Sequence, residues 1–153
     1  MANPFDGFHN LHPLFVHFPI VLLLLAAVAQ LLVVVYPKNS TYKRISLFLI
    51  AFGCLGAFIA IKNVAHISGD ADDKAIEIFE VHQRFGQITL YLSLFATILR
   101  LVFFKAMAKK WMEYILLLLF FIISIVVSYT GHLGATMVYK YGVGPQGNGL
   151  LSK

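Results

Sequence analysis

The stretch HPLFVHFPIVLLLLAAVAQLLVVVY, residues 12–36, decides the fold of this chain. From residue 14 onward, its only strongly polar side chains are those of His17 and Gln30. A helix needs about 20 mostly apolar residues to cross the hydrocarbon of a bilayer, so the stretch predicts a transmembrane helix. Polar groups in lipid cost free energy unless they are satisfied. We therefore expect Gln30 to form an interhelical hydrogen bond. The presence of two histidines at the start of this helix also needs an explanation.

The composition of the whole chain supports a membrane protein. The chain has 153 residues, of which 59% are hydrophobic and 12% are charged, and its mean hydropathy is +0.81. These values are too apolar for an ordinary soluble domain. The net charge of +5 does not indicate a nucleic-acid partner, because the basic residues lie in short loops between apolar runs.

Four apolar runs predict an all-α fold, a four-transmembrane-helix up-down bundle in which residues 1–153 form a single integral membrane domain. The predicted spans are about 14–36, 45–64, 85–104 and 111–130. Ser68 or Asp70 is a candidate helix cap in the loop at 65–84, which we expect to be partly helical. The fourth helix is expected to continue past Gly131, and the tail at 142–153 is predicted to be flexible.

The distribution of basic residues predicts the orientation. Seven of the twelve Lys and Arg residues belong to the loops between spans one and two and between spans three and four. Positive charge favours the cytoplasmic side, so both termini are expected on the outer, periplasmic side of a bacterial inner membrane. The first eleven residues contain no Lys or Arg, so a cleavable signal peptide is not expected. Arg100 is expected to extend its side chain toward the interface.

The histidines all fall on the predicted outer side: His9, His12, His17, His66, His82 and His132. In an up-down bundle, the helix ends that carry them meet in one layer. Imidazole is a ligand of haem iron, copper, zinc and non-haem iron. A haem b bound by two histidines also needs an aromatic, apolar pocket with room for a flat group, and the candidates for its lining are Phe18, Phe85, Gly131 and Gly134.

Several assignments follow for these side chains. His17 and His82 are the first candidates for axial ligands of one haem b, and His12 and His132 form a candidate second pair, which allows one or two haems. His66 is left open. The alternative is that the histidines are hydrogen-bonded tips, with His12 at a helix N-cap before Pro13. A copper site at His9, His12 and Met137 is a weaker alternative.

Three motifs resemble a known family: LHPLFVHFPIVLLL at the start, SGD and VHQRFG in the middle, and GHLGATMVYKYGVG at the end. Together they are similar to the bacterial membrane proteins called domain of unknown function 2231, over about Leu11 to Gly144. The opening His-Pro-x-x-x-His-Phe-Pro is the most specific element. The positions that match the family's histidines are His12, His17, His82 and His132; Ala135 stands where a second glycine often follows Gly134.

The resemblance implies four spans with the shared motifs at one membrane face. Relatives are often fused or adjacent to c-type cytochrome modules, which implies a c-type cytochrome or another membrane redox subunit as partner. Our leading hypothesis is a membrane-embedded, haem b-binding electron-transfer protein that serves a periplasmic cytochrome or a quinol-linked respiratory complex. The alternative is a cofactor-free accessory or scaffold subunit of a membrane complex. No catalytic set is recognised, and oligomerisation with itself or with other subunits is left open.

Overall fold

A computed structural model describes residues 12–62, 67, 71–105 and 109–143. They form four helices: α1 (His12–Val35), α2 (Ser40–Lys62), α3 (Asp73–Lys105) and α4 (Lys110–Tyr141). All four are long and apolar enough to cross a membrane. The predicted all-α fold with four membrane-spanning helices is confirmed.

Consecutive helices run antiparallel, as the contacts along their lengths show. Pro19 of α1 lies beside Gly56 of α2, and Gln30 lies beside Ser46, so α1 ascends while α2 descends. α1 packs against α2 and α4, and α3 packs against the same two helices. The four therefore form an up-down bundle with a square cross-section. We call the end with the starts of α1 and α3 the histidine end, and the opposite end the basic end.

The main core lies inside this square. Its buried side chains are aliphatic except for the aromatic ring of Phe120, and they come from all four helices: Leu23, Ala26, Ile50, Ala96, Leu116, Phe120, Ile123 and Val127. α1 and α2 approach closely because two glycines face α1. A Cβ atom on Gly53 would lie 2.6 Å from Cδ2 of Leu23, and one on Gly56 would lie 3.1 Å from Cδ of Pro19. Small residues at such contacts let membrane helices pack tightly.

α3 and α4 are longer than a bilayer requires. With 33 residues, α3 is about 50 Å long, whereas the hydrocarbon is about 30 Å thick. It begins in the acidic loop, where Asp72 caps it: the backbone N–H of Lys74 donates to Oδ1 of Asp72 over 2.9 Å. The predicted caps, Ser68 and Asp70, lie outside the described residues, and Asp72 has the capping role.

α4 continues past Gly131 and ends at Gly142, whose φ of 66° terminates the helix in the left-handed conformation that glycine adopts readily. The extensions of α3 and α4 pack together in a second, smaller core of Ala75, Met137 and Val143. The bundle therefore projects beyond α1 and α2 at the histidine end on its α3/α4 side. The tail from 144 onward lies outside the described residues.

Candidate cofactor site at the histidine end

His82 lies on the inner face of α3. It shares its helical register with buried Ala75, Thr89 and Ser93, and its own side chain is half-buried. The Nδ1 atom of His82 is 3.0 Å from the backbone oxygen of Thr130 on α4. A carbonyl oxygen only accepts hydrogen bonds, so Nδ1 carries a proton, and in the neutral ring the lone pair is on Nε2. This is the tautomer that most metal-ligating histidines have, with the non-ligating nitrogen oriented by a backbone carbonyl or carboxylate.

Small and aromatic residues surround this imidazole. A Cβ atom on Gly134 would lie 3.4 Å from Cε1 of His82, so the absence of a side chain lets the ring approach α4. One turn further along α3, the ring of Phe85 contacts that of Tyr129 edge-on, with centroids 4.7 Å apart. Two predicted pocket residues, Phe85 and Gly134, are therefore close to His82 along the α3/α4 seam.

The other two predicted pocket residues lie elsewhere. Phe18 is 64% exposed on the outside of α1. Gly131 faces α1, where a Cβ atom would lie 3.5 Å from Cδ1 of Ile20. Both residues belong to the histidine end, but the structure does not place them against His82.

His17 and His132 point away from the bundle interior. Both side chains are exposed. His17 follows the outer line of α1 that Leu24 and Val28 continue, whereas the inner face of α1 carries Pro19, Leu23 and Gln30. The structure thus brings the predicted pair His17 and His82 to the same end of the bundle, but on different faces.

The remaining predicted ligands are placed only in part. His12 is the first residue of α1. His9 and His66 lie outside the described residues. Met137, the candidate sulfur ligand for copper, is 8% exposed within the second core. Among residues 12–62, 67, 71–105 and 109–143, no group of three or more His, Cys, Asp or Glu residues is arranged to hold a metal ion.

The structure contains a buried polar network at the basic end that was not predicted from the sequence. Oε2 of Glu113 accepts from Nη1 of Arg100 over 2.8 Å and from Nε2 of Gln30 over 2.9 Å. Oε1 of Gln30 in turn accepts from the hydroxyl of Ser46 over 2.8 Å. Lys43 completes the network, with Nζ 3.5 Å from Oε1 of Glu113. Because these side chains come from all four helices, the network joins the whole bundle.

The network confirms one expectation and contradicts another. Gln30 makes the predicted interhelical hydrogen bonds. Arg100 does not extend to the interface: its side chain is fully buried and paired with Glu113, because a carboxylate on the neighbouring helix offers it a partner inside the bundle. One feature of the sequence could have predicted this ion pair: Glu113 is an acid in an otherwise basic region, and an arginine stands near the end of the preceding span.

Comparison with known protein families identifies a membrane protein. A sequence model described as predicted membrane protein, DUF2231, matches residues 8–147. The chain belongs to the DUF2231 family. No curated protein and no solved structure matches the chain. The DUF2231 resemblance rested on motifs at the starts of α1 and α3 and the end of α4, and the fold places these three helix ends together at the histidine end.

Proposed function

We propose that this DUF2231 protein is a membrane-embedded electron-transfer protein that binds haem b at the histidine end, with His82 as an axial ligand. The observation that carries the proposal is the hydrogen bond from Nδ1 of His82 to the carbonyl of Thr130. It orients the ring and leaves the lone pair of the neutral imidazole on Nε2, as the second hydrogen bond of a metal-ligating histidine does.

The surroundings of His82 fit an axial ligand of a flat, largely apolar group. Phe85 and Tyr129 supply aromatic surface on the adjoining turns, and Gly134 removes a side chain beside the imidazole. A haem held by two imidazoles needs ligands from two helices. His12 stays the candidate for the second ligand, because it belongs to a different helix from His82 and is the first residue of α1. His17 faces outward, so the pairing of His82 with His17 requires a haem that reaches around α1.

The proposal includes an orientation and a partner. The basic end carries exposed Lys38, Arg44, Lys109 and Lys110, and a cytoplasmic location for them follows the positive-inside rule. The histidine end then faces the periplasm from the inner membrane. A haem at that level is within reach of a soluble c-type cytochrome, and we propose such a protein, or another membrane redox subunit, as the electron partner.

The test is the dithionite-reduced minus air-oxidised spectrum of the protein, purified in mild detergent from a haem-replete host. A sharp α band and a shifted Soret band support the proposal. A colourless preparation from that host, folded by helical circular dichroism, overturns it.

A cofactor-free accessory subunit is the second candidate function. It is favoured by the outward direction of His17 and His132, which places two hydrogen-bonding side chains on a surface that a neighbouring subunit could cover. The same spectrum separates the two candidates, because an accessory subunit of this kind absorbs no visible light.

A further inference from the structure

The outer face of α1 and α4 carries two polar groups and a groove. His17 and His132 occupy the histidine end of this face, with exposed Ser128 one turn from His132. A Cβ atom added to Gly131 would lie 3.5 Å from Cδ1 of Ile20, so these two residues are at the same level, and His17 and His132 lie in one layer of the bundle. Apart from the hydroxyl groups of Ser124, Ser128 and Tyr114, the rest of the face is apolar, so the two imidazoles are its most distinctive chemical feature.

Toward the basic end, the same face opens into a groove of about 620 Å³. Leu24, Val28 and Leu31 line it from α1, and Tyr114, Phe121 and Ser124 line it from α4. The hydroxyl of Ser124 donates to the backbone oxygen of Phe120, so the groove offers a ligand mainly apolar contact. His17 and Leu31 are separated by about 21 Å at 1.5 Å per residue.

We infer that this α1/α4 face binds an isoprenoid quinone, with its head between His17 and His132 and its tail in the groove. The two carbonyl oxygens of a quinone accept hydrogen bonds, and imidazole N–H groups donate them. Its apolar tail can fill a groove that starts about two helical turns below the head. A phospholipid tail matches the groove equally well, but two ring N–H donors in one layer match the two carbonyl oxygens of a quinone.

The inference deepens the proposed function and rests on it for the role of the quinone, which is to exchange electrons with the haem at His82. Binding itself depends only on the α1/α4 face. His82 belongs to the inner face and does not contribute to the quinone site, so the two sites can be tested separately.

The experiment measures the affinity of decyl-ubiquinone for the detergent-purified protein by isothermal titration. The double variant His17→Ala, His132→Ala should bind about tenfold more weakly, as the loss of two hydrogen bonds predicts. Ser124→Phe, which fills the groove, should also weaken binding. Gln87→Ala, which removes an exposed polar side chain from α3, is the matched control and should bind as the wild type does.

Three results overturn the inference: no binding by the wild type, equal binding by the double variant, or equal weakening by Gln87→Ala. Equal binding by the double variant identifies the groove as a lipid site that the histidines do not serve. Circular dichroism verifies that each variant is folded. If the protein is colourless but binds the quinone through His17 and His132, the haem proposal fails and the quinone site stands. If haem is present and the double variant binds quinone as the wild type does, the haem proposal stands and the quinone site fails.

Discussion

Nη1 of Arg100 lies 2.8 Å from Oε2 of Glu113, inside the bundle and across the α3/α4 seam. Because a charge buried in this way is costly without its partner, Glu113→Gln should destabilise the protein by about 3 kcal/mol. Unfolding by SDS in mixed micelles measures the change. Glu77→Gln, an exposed substitution of the same type on α3, should have almost no effect, and equal stability of the two variants would contradict the structural role of the network.

The contact of α1 with α2 gives a second prediction. A Cβ atom on Gly53 would overlap fully buried Leu23, so Gly53→Ala should cost about 1–3 kcal/mol by overpacking. Gly86, in α3, has no atom within 4 Å of the position of an added Cβ. Gly86→Ala should therefore stabilise its helix by up to about 1 kcal/mol. The same unfolding assay compares the two variants. Stabilisation by Gly53→Ala would show that α1 and α2 are further apart than in this structure.

The sequence predicts those parts of the fold that the lipid bilayer restricts most strongly. A helix of about 20 apolar residues is the main way to cross hydrocarbon, so the four spans and their order could be predicted from hydropathy alone. The acids at 70–73 predict that α3 starts outside the membrane, because they favour a helix N-terminus.

The network and the directions of the histidines could not be predicted in the same way. Arg100 and Glu113 stand at the ends of two spans, where long charged side chains usually reach water, and only the packing of α3 on α4 pairs them. Similarly, the spacing predicts that His12 and His17 point in different directions on α1, but the direction of His17 is set by the contacts of α1 with α2 and α4. The sequence-based preference for His17 rested on its depth, and depth does not determine direction.

The start of α3 gives a third prediction. Oδ1 of Asp72 accepts the N–H of Lys74, so Asp72→Ala should remove about 1 kcal/mol from the local stability of this helix. Hydrogen exchange of the amides at 73–80 should accelerate. Asp73→Ala, which removes the next acid but leaves the cap, should accelerate exchange less; the opposite ranking would assign the cap to Asp73.

The orientation of the bundle gives a fourth prediction. Cys54 is buried, and Cys54→Ser provides a background for single cysteines at exposed positions. Glu77→Cys at the histidine end should react with a membrane-impermeant maleimide on intact spheroplasts. Lys110→Cys at the basic end should react only after permeabilisation, because the basic loops are expected in the cytoplasm. Labelling of Lys110→Cys alone on intact spheroplasts would reverse the orientation and place the histidine end in the cytoplasm.

The central claim is that His82 ligates a haem, and its most direct test compares reduced-minus-oxidised spectra of His82→Ala and His132→Ala with that of the wild type. Both variants remove an imidazole from the histidine end, but His82 faces the interior and His132 faces outward. We predict that His82→Ala loses the α band of a bis-histidine haem, that added imidazole restores it, and that His132→Ala keeps it. An unchanged α band in His82→Ala would contradict the claim.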